Sequence, residues 1–344
     1  MKIAFFTKQL PSDEPNGVSV QVHRLAEALV KLGHEVVCFS FSPKPDGALY
    51  NHRQLEWRSS SALFRKFTPG LVFRKIDSGG FDVVHYHGDD YLCRGAQNRA
   101  RTFYGSALLE ALHSSNLKRF LYQALFYCFE LVSCIRKGAK VGISRNTCRV
   151  LPLVHDAIPC CVPLDTYKPG KQKSEKPSVL FVGGIHGRKR GRLILDVFSR
   201  EILPAHCDCL LYVVGPEPCS GTNVVYMNKL AEKELIKLFQ NCWVYCMASS
   251  YEGFGVPAIE AMACGTAVAA VKNPGVLEVI QDGSNGVLCS EQELGRKVNE
   301  LIDKRAFRSE LVQTALEGID EYDSGSVARQ YEKIYIDALS KARS

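Results

Sequence analysis

Residues 251–266 read Tyr-Glu-Gly-Phe-Gly-Val-Pro-Ala-Ile-Glu-Ala-Met-Ala-Cys-Gly-Thr, and they set Glu252 and Glu260 on either side of a glycine-rich turn that opens a helix. Were both helical, about 100° per residue would bring the second carboxylate to within about 80° of the first. Pro257 and the glycines instead place Glu252 in the loop before the helix and Glu260 in its second turn. The N–H groups of 253–256 then point at whatever lies in front, an arrangement that receives phosphate and sugar oxygens. Val256, Ala258, Ile259, Ala261, Met262 and Ala263 make the helix apolar nearly all round, so burial is expected, and a buried acid needs a partner or a ligand. The plainer alternative is a surface Glu252 and a solvated Glu260.

Outward from that turn, strand and helix patterns alternate, and they do so twice. Apolar runs at 3–7, 35–41, 82–86, 101–104 and 140–144 predict parallel strands, with helices over 18–32 and 107–136 between them. Gly33 supplies the stop of the first helix. In the second half, 179–182, 210–214, 243–246 and 266–270 predict strands, with helices near 192–199, 231–240 and 256–264. The fold class is therefore α/β, with two doubly wound domains. We expect an N-terminal domain over 1–165 and a polar, lysine-rich linker at 166–176. A C-terminal domain follows over 177–324, with a last helix over 325–344. That helix carries Val327, Tyr331, Ile334, Tyr335 and Leu339 at helical spacing, and the first domain is where this face is expected to pack.

At 344 residues and 46% hydrophobic content the chain is long enough for two cores. The opening run Ile3–Thr7 is too short for a signal peptide, and Phe120–Ile135, broken by Gln123 and Glu130, reads as a buried helix rather than a membrane span. The fourteen cysteines lack metal spacing and fall mostly in apolar patterns, so reduced core thiols and a cytoplasmic location are expected. Of the +7 net charge, residues 1–165 hold all of it, 21 Lys and Arg against 14 Asp and Glu. It gathers in Arg53, Arg58, Arg65, Lys66, Arg74 and Lys75, among Trp57, Phe64, Phe67, Leu71 and Phe73. Such a stretch suits either a solvated face or peripheral contact with an anionic membrane, on its inner face. No motif accompanies the charge to favour nucleic acid.

Four loops fall at the C-terminal ends of the expected strands. They are Pro15–Ser19 around Gly17, then Gly183-Gly184-Ile185-His186-Gly187-Arg188-Lys189-Arg190-Gly191, Gly215-Pro216, and the Glu252 loop. Glycine admits close backbone approach to phosphate, and the Arg-Lys-Arg cluster supplies charge for a diphosphate.

With these residues in place, the chain resembles the retaining GT-B glycosyltransferases of family 4. The segment from Glu252 to Thr266 is similar to that family's Glu-x7-Glu block, and Pro274–Glu278 and Asp282–Gly286 to its next signature. Leu25–Leu29 with Gly33–Val36 resembles its first helix and second strand. Ile158-Pro159 with Leu164-Asp165 resembles its interdomain segment, where Cys160-Cys161 replaces the usual Asn-Gly. The resemblance implies two Rossmann-like domains facing across a cleft. It also implies sugar transfer from a UDP-sugar or GDP-sugar to a hydroxyl acceptor, which is a glycan, a lipid-linked or a small molecule, in polysaccharide biosynthesis for example. Under it, Glu260 holds the ribose hydroxyls, while Glu252 with the amides of Phe254, Gly255 and Val256 orients the donor sugar. Gly17 and the Gly183-Gly184 turn approach the diphosphate, and Lys189 or Arg190 neutralises the β-phosphate.

Two positions depart from the pattern. Gly184 stands where the family usually has arginine, with Arg188 a candidate to fill the gap. Tyr104 stands where it often has a histidine near the transferred sugar, and a phenol is a poor base at pH 7. His85 and His87 are candidates for the same region. A front-face reaction needs no dedicated base, and the chain has no Asp-x-Asp triplet, so no metal and no cofactor is expected. The rival readings are a nucleotide-sugar-binding protein without turnover and another GT-B enzyme such as an epimerase.

Overall fold

The computed structural model describes residues 1–12, 16–57, 64–93, 98–113 and 116–343. The chain divides into two compact units, Met1–Cys161 with Tyr322–Ser344, and Val162–Glu321. The first begins with β1 (Lys2–Phe6), α1 (Gly17–Lys31), β2 (Glu35–Ser40) and β3 (Asn51–Gln54). It continues through α2 (Phe64–Phe67), α3 (Pro69–Phe73), β4 (Val83–Tyr86) and β5 (Arg99–Phe103). Then come α4 (Ala107–Leu112), α5 (Leu117–Cys134), β6 (Ala139–Gly142), α6 (Arg145–Val150) and β7 (Asp156–Ala157). The second unit starts with β8 (Ser178–Val182) and α7 (Gly191–Val197), which runs through a π turn into α8 (Leu203–Ala205). After these lie β9 (Leu210–Val214), β10 (Val224–Met227), α9 (Glu232–Asn241), β11 (Val244–Met247) and α10 (Val256–Ala263). It ends with β12 (Ala267–Val271), β13 (Val287–Cys289), α11 (Leu294–Asp303) and α12 (Arg305–Glu317). Helix α13 (Ser324–Arg343) belongs to the first unit again.

Each unit is built on one parallel sheet, ordered β3-β2-β1-β4-β5-β6-β7 in the first and β10-β9-β8-β11-β12-β13 in the second. In both, strand order reverses beside the first strand, at β1/β4 and at β8/β11, and ligands in such sheets bind beyond the strand ends at that switch point. Central strands such as β1 and β12 are buried almost throughout, as apolar runs covered on both faces require. The strands absent from the sequence reading, β3, β7, β10 and β13, are the four outermost. β3, Asn-His-Arg-Gln, is polar, and β7 and β13 are only two and three residues long, so none of these carries the apolar run that reveals a central strand, whereas β10, Val-Val-Tyr-Met, does carry one.

Several expectations are corrected. Residues 166–176 are not a free linker but part of the second unit. Trp243 Nε1 donates to Ser174 O at 2.8 Å, Gln240 Nε2 to Lys168 O at 2.9 Å, and Lys173 Nζ to Thr266 Oγ1 at 2.6 Å. Most side chains of this segment are exposed, as the polar composition suggests, but its backbone carbonyls are held by side chains of the second unit. The helix expected over 107–136 is two, with Ser106 and Asn116 each capping a new start. Nor is α5 buried, since Leu117 is 74% and Leu121 61% exposed. The basic stretch is partly core: Phe73 is buried, Trp57 stacks on Phe41, and Arg53 and Arg65 lie over Phe39 and Trp57. Arg58, with the side chains of Phe64 and Lys66, lies outside the described residues.

Helix α13 buries Val327, Ala328, Tyr331 and Tyr335 against α1 and the first sheet. All fourteen cysteines are free thiols, and most are buried. Among the described residues no helix is long and apolar enough to cross a membrane.

Candidate functional site

In the second unit, β8 ends at Val182, the N–H of Gly183 just beyond it donates to Val214 O, and the chain enters a 3-10 turn at Gly187–Lys189. Arg190 takes a left-handed conformation (φ 57°) and α7 starts behind it. This turn is tied to the loop after β11: Ser250 N donates to Arg188 O at 2.9 Å, and Arg188 Nη1 donates to Tyr251 O at 3.0 Å. Both neighbouring cations then close on one carboxylate. Arg188 Nη1 lies 2.8 Å from Glu252 Oε2, and Lys189 Nζ lies 2.7 Å from Glu252 Oε1. Arg190 turns the other way, onto Glu291 at 2.6 Å. The sequence could not separate Lys189 from Arg190, and the left-handed residue between the turn and the helix sends their heads apart.

Glu252 is 6% exposed. Burial pushes its carboxyl up, but Lys189 and Arg188 more than reverse this and hold it below the usual range, so it is ionised at neutral pH. The loop's shape depends on two glycines. Gly255 has φ +103° and caps α10, and a Cβ on Gly275 would meet Glu252 O at 2.5 Å. Behind them Asn273, 4% exposed, donates to Ser249 O and Val271 O and accepts from the N–H groups of Gly275 and Val276. Asn273 escaped the sequence reading, although Asn-Pro-Gly is a turn signal with that mechanism.

Phe254 is buried and Val256 half-buried; in the first turn of α10 Pro257 carries no N–H, and Ala258 N donates to Gly255 O at 2.9 Å. Glu260 is buried on the same helix. It and Glu252 act on one neighbour: after burial, their two charges are what push the Tyr245 phenol up. The two glutamates thus share one electrostatic neighbourhood. Gly184, by contrast, is not filled by Arg188, which is committed to Glu252 and Tyr251. The Glu217 carboxylate lies there instead, 3.4 Å from where a Cβ on Gly184 would stand, and accepts from His186 N at 2.9 Å.

In the first unit the loops after β1, β4 and β5 hold the other residues. Gly17 opens α1, exposed and with nothing within 4 Å of a Cβ placed there, and Asn16 and Ser19 form a reciprocal capping box. Pro15 of the same loop lies outside the described residues. His85 is locked, with Nδ1 at 2.7 Å from Tyr335 Oη and Nε2 at 2.8 Å from Thr102 Oγ1, so it is a core histidine. His87 differs. Its Nδ1 lies 2.9 Å from Tyr104 Oη, while its buried Nε2 has no partner among the described residues. Burial, then His85 and Arg101, hold the His87 imidazole well below the usual range, and burial pushes the Tyr104 phenol well above its own. At neutral pH the pair is uncharged. Among the described residues no cluster of side chains suited to a metal ion occurs.

Two family models match: Glycosyltransferase Family 4 over residues 15–134 and Glycosyl transferases group 1 over 165–317. A D-inositol 3-phosphate glycosyltransferase of Corynebacterium aurimucosum is 29% identical, over 97% of this chain and 94% of its own length. A Campylobacter jejuni N-acetylgalactosaminyltransferase acting on a diphospho-undecaprenol is 30% identical over 108 residues, 29% of that enzyme's length. For the first relatives matched, the shared region is less than half of their length, 29% for that enzyme and 48% for an N-acetyl-alpha-D-glucosaminyl L-malate synthase of Bacillus anthracis. Among solved structures, sucrose-phosphate synthase from Thermosynechococcus elongatus superposes with TM-score 0.82 at 18% identity, covering 99% of both chains. WaaG, a lipopolysaccharide glycosyltransferase, follows at 0.78 and 16%, covering 97% of this chain and 99% of its own. With the two switch points and the Glu252 turn in place, these likenesses settle the kinship: the chain belongs to glycosyltransferase family 4 and has the GT-B fold.

Proposed function

We propose that this chain moves a sugar from a nucleoside-diphosphate sugar to a hydroxyl acceptor, with retention at the anomeric carbon and without a metal ion. The observation that carries this is the buried Glu252 carboxylate, fixed by Arg188 and Lys189 at the switch point of the second sheet, in the loop that leads into α10. Glu252 accepts from hydroxyls of the donor sugar, and Glu260 accepts from the ribose. Lys189, with three N–H donors, keeps one on Glu252 and offers the others to the β-phosphate. Arg188 adds a second positive charge beside it, and Arg190, committed to Glu291, plays no direct part.

In the reaction the glycosidic C–O bond to the β-phosphate breaks, and the acceptor oxygen bonds to the anomeric carbon on the same face. The acceptor's proton passes to the departing phosphate oxygen. The chain's own work is to hold reactants in line and to stabilise the charge gathering on the leaving group. We assign acceptor recognition to the first-unit loops after β1, β4 and β5, where Gly17, His87 and Tyr104 lie. A UDP- or GDP-sugar fits the donor role, and the structural relative HepE of Anabaena, solved with UDP-glucose, is consistent with the former. A lipid-linked acceptor would agree with a cytoplasmic protein at the inner membrane face.

The test is a screen of UDP- and GDP-sugars by thermal shift, followed by release of the nucleoside diphosphate with and without candidate acceptors. Acceptor-stimulated release with retained anomeric configuration is expected. Binding without turnover for every acceptor would move the chain to the class of nucleotide-sugar-binding proteins, and release of an isomerised sugar to the epimerases.

A further inference from the structure

We propose that the first unit carries a second ligand site, at the opposite end of its sheet from the loops after β1, β4 and β5, and that this site takes a phosphorylated sugar. It is a cavity of about 490 Å³ where β6 and β7 begin, with α13 along one side, and all its walls belong to the first unit. That volume suits a molecule of metabolite size. Ligands of a doubly wound sheet bind beyond the C-terminal ends of its strands. Lys137 and Lys140 instead stand at the N-terminal end of β6, and His155 and Asp156 at that of β7. The cavity is therefore separate from the donor and acceptor positions assigned above, and its failure would leave that reading intact.

Its polar lining carries both signs. Lys137, Lys140 and His155 bring nitrogen groups, and Asp156 and Asp337 bring carboxylate oxygens. Among the described residues no ion pair joins the two sets, so both remain open to a ligand. Lys140 Nζ donates to Gly138 O at 3.2 Å and keeps its other N–H donors. Burial, with the Arg99 charge adding to it, holds the Lys140 ammonium below its usual range, and a bound anion would relieve that cost.

The rim adds an independent sign. Leu153, in the turn that it makes with Pro152, is 53% exposed and has φ +61°. Left-handed backbone is costly for a bulky side chain, and glycine would occupy this place without strain. A strained residue that holds an apolar side chain in solvent beside a cavity points to a use for that side chain. With Ile334 it gives the cavity an apolar flank. A pyranose ring offers C–H groups to such a flank and hydroxyls to the carboxylates, while a phosphate ester takes the lysines. Inorganic phosphate would answer only the lysines, and an unphosphorylated sugar would leave both ammonium groups unmatched.

The test is calorimetric titration of the full chain with glucose 1-phosphate, glucose 6-phosphate, mannose 1-phosphate and mannose 6-phosphate, with inorganic phosphate and glucose as controls. At least one of the sugar phosphates should bind at least about tenfold more tightly than either control. Lys137→Glu/Lys140→Glu should weaken that binding at least about tenfold, whereas Lys189→Ala, in the other unit, should leave it unchanged. Leu153→Gly should weaken it at least about threefold without lowering the melting temperature, because the strain lifted offsets the added freedom of the unfolded chain. The proposal is overturned if no sugar phosphate binds, if inorganic phosphate binds as tightly, or if the double lysine variant binds like the wild type. Loss of binding in Lys189→Ala also overturns it, by assigning the ligand to the donor position.

Discussion

The loops at the two switch points solve opposite electrostatic problems. After β8 and β11, two cations and a buried carboxylate form a charged constellation, and Glu252 stays ionised because Arg188 and Lys189 outweigh its burial. After β4 and β5, burial wins. His85 is pushed down to about 3, His87 lies well below its usual range and Tyr104 well above, so these three groups are uncharged and held by hydrogen bonds, beside a buried ion pair of Asp90 with Arg99 and Arg101. The contrast teaches a division of labour. Under the proposed function, the second unit would bind and neutralise the anionic donor, and the uncharged groups of the first would position the acceptor hydroxyl.

The largest expected effect comes from discharging the charged constellation. Glu252→Ala leaves two cations facing each other and should lower kcat/KM at least about 100-fold, with about 1–3 kcal/mol lost in stability, read by turnover and by urea titration. Near-normal turnover would break the assignment. Next, Lys189→Ala should cost about 100-fold in kcat while Arg190→Ala costs under about fivefold, because only Lys189 shares Glu252. Equal losses would mean that the left-handed turn at Arg190 does not separate their roles.

Tyr104→Phe tests the neutral side. It removes one hydrogen bond to His87, so a drop of about tenfold or less in kcat is expected with unchanged donor affinity by calorimetry. A larger fall, or a new pH dependence, would make the phenol more than a positioning group. The smallest effect separates the two regions by pH. A histidine whose folded value is depressed stabilises fully above its unfolded value near about 6.5 and loses that stability as pH falls below it. Hydrogen exchange at β4 should therefore quicken by pH 5, equivalent to about 1–2 kcal/mol. Glu252, also depressed, keeps its contribution down to its unfolded value near about 4.3, so β11 should remain protected over the same range. Parallel loss in both strands would erase the distinction.

Much of the fold was legible because central strands of a parallel sheet are continuous apolar runs, and the loops after them carry glycine for a stated reason. The edge strands β3, β7 and β13 were not, since a strand paired on one side can be short or polar, while the apolar run of β10 was open to reading. Residues 166–176 looked like a linker by composition, yet an exposed polar segment can still be tied down, as the Ser174 carbonyl is by the Trp243 indole and Lys173 by the Thr266 hydroxyl. The apolar content of α5 signalled burial, but apolarity reports only that a face needs a cover, not that this chain provides one.

The candidate site divides in the same way. That Glu252 and Glu260 flank a glycine turn at a helix start is legible along the chain, because proline fixes its backbone angle and glycine admits the left-handed conformation the turn takes. Tertiary structure alone decided that Arg188 and Lys189 meet Glu252 while Arg190 does not, that Glu217 rather than Arg188 lies beside Gly184, and that His85 is locked while His87 keeps a free nitrogen. Those outcomes turn on which side chains from distant strands arrive within about 3 Å of one another, a distance over which charge and hydrogen bonding act but which no spacing along the chain encodes.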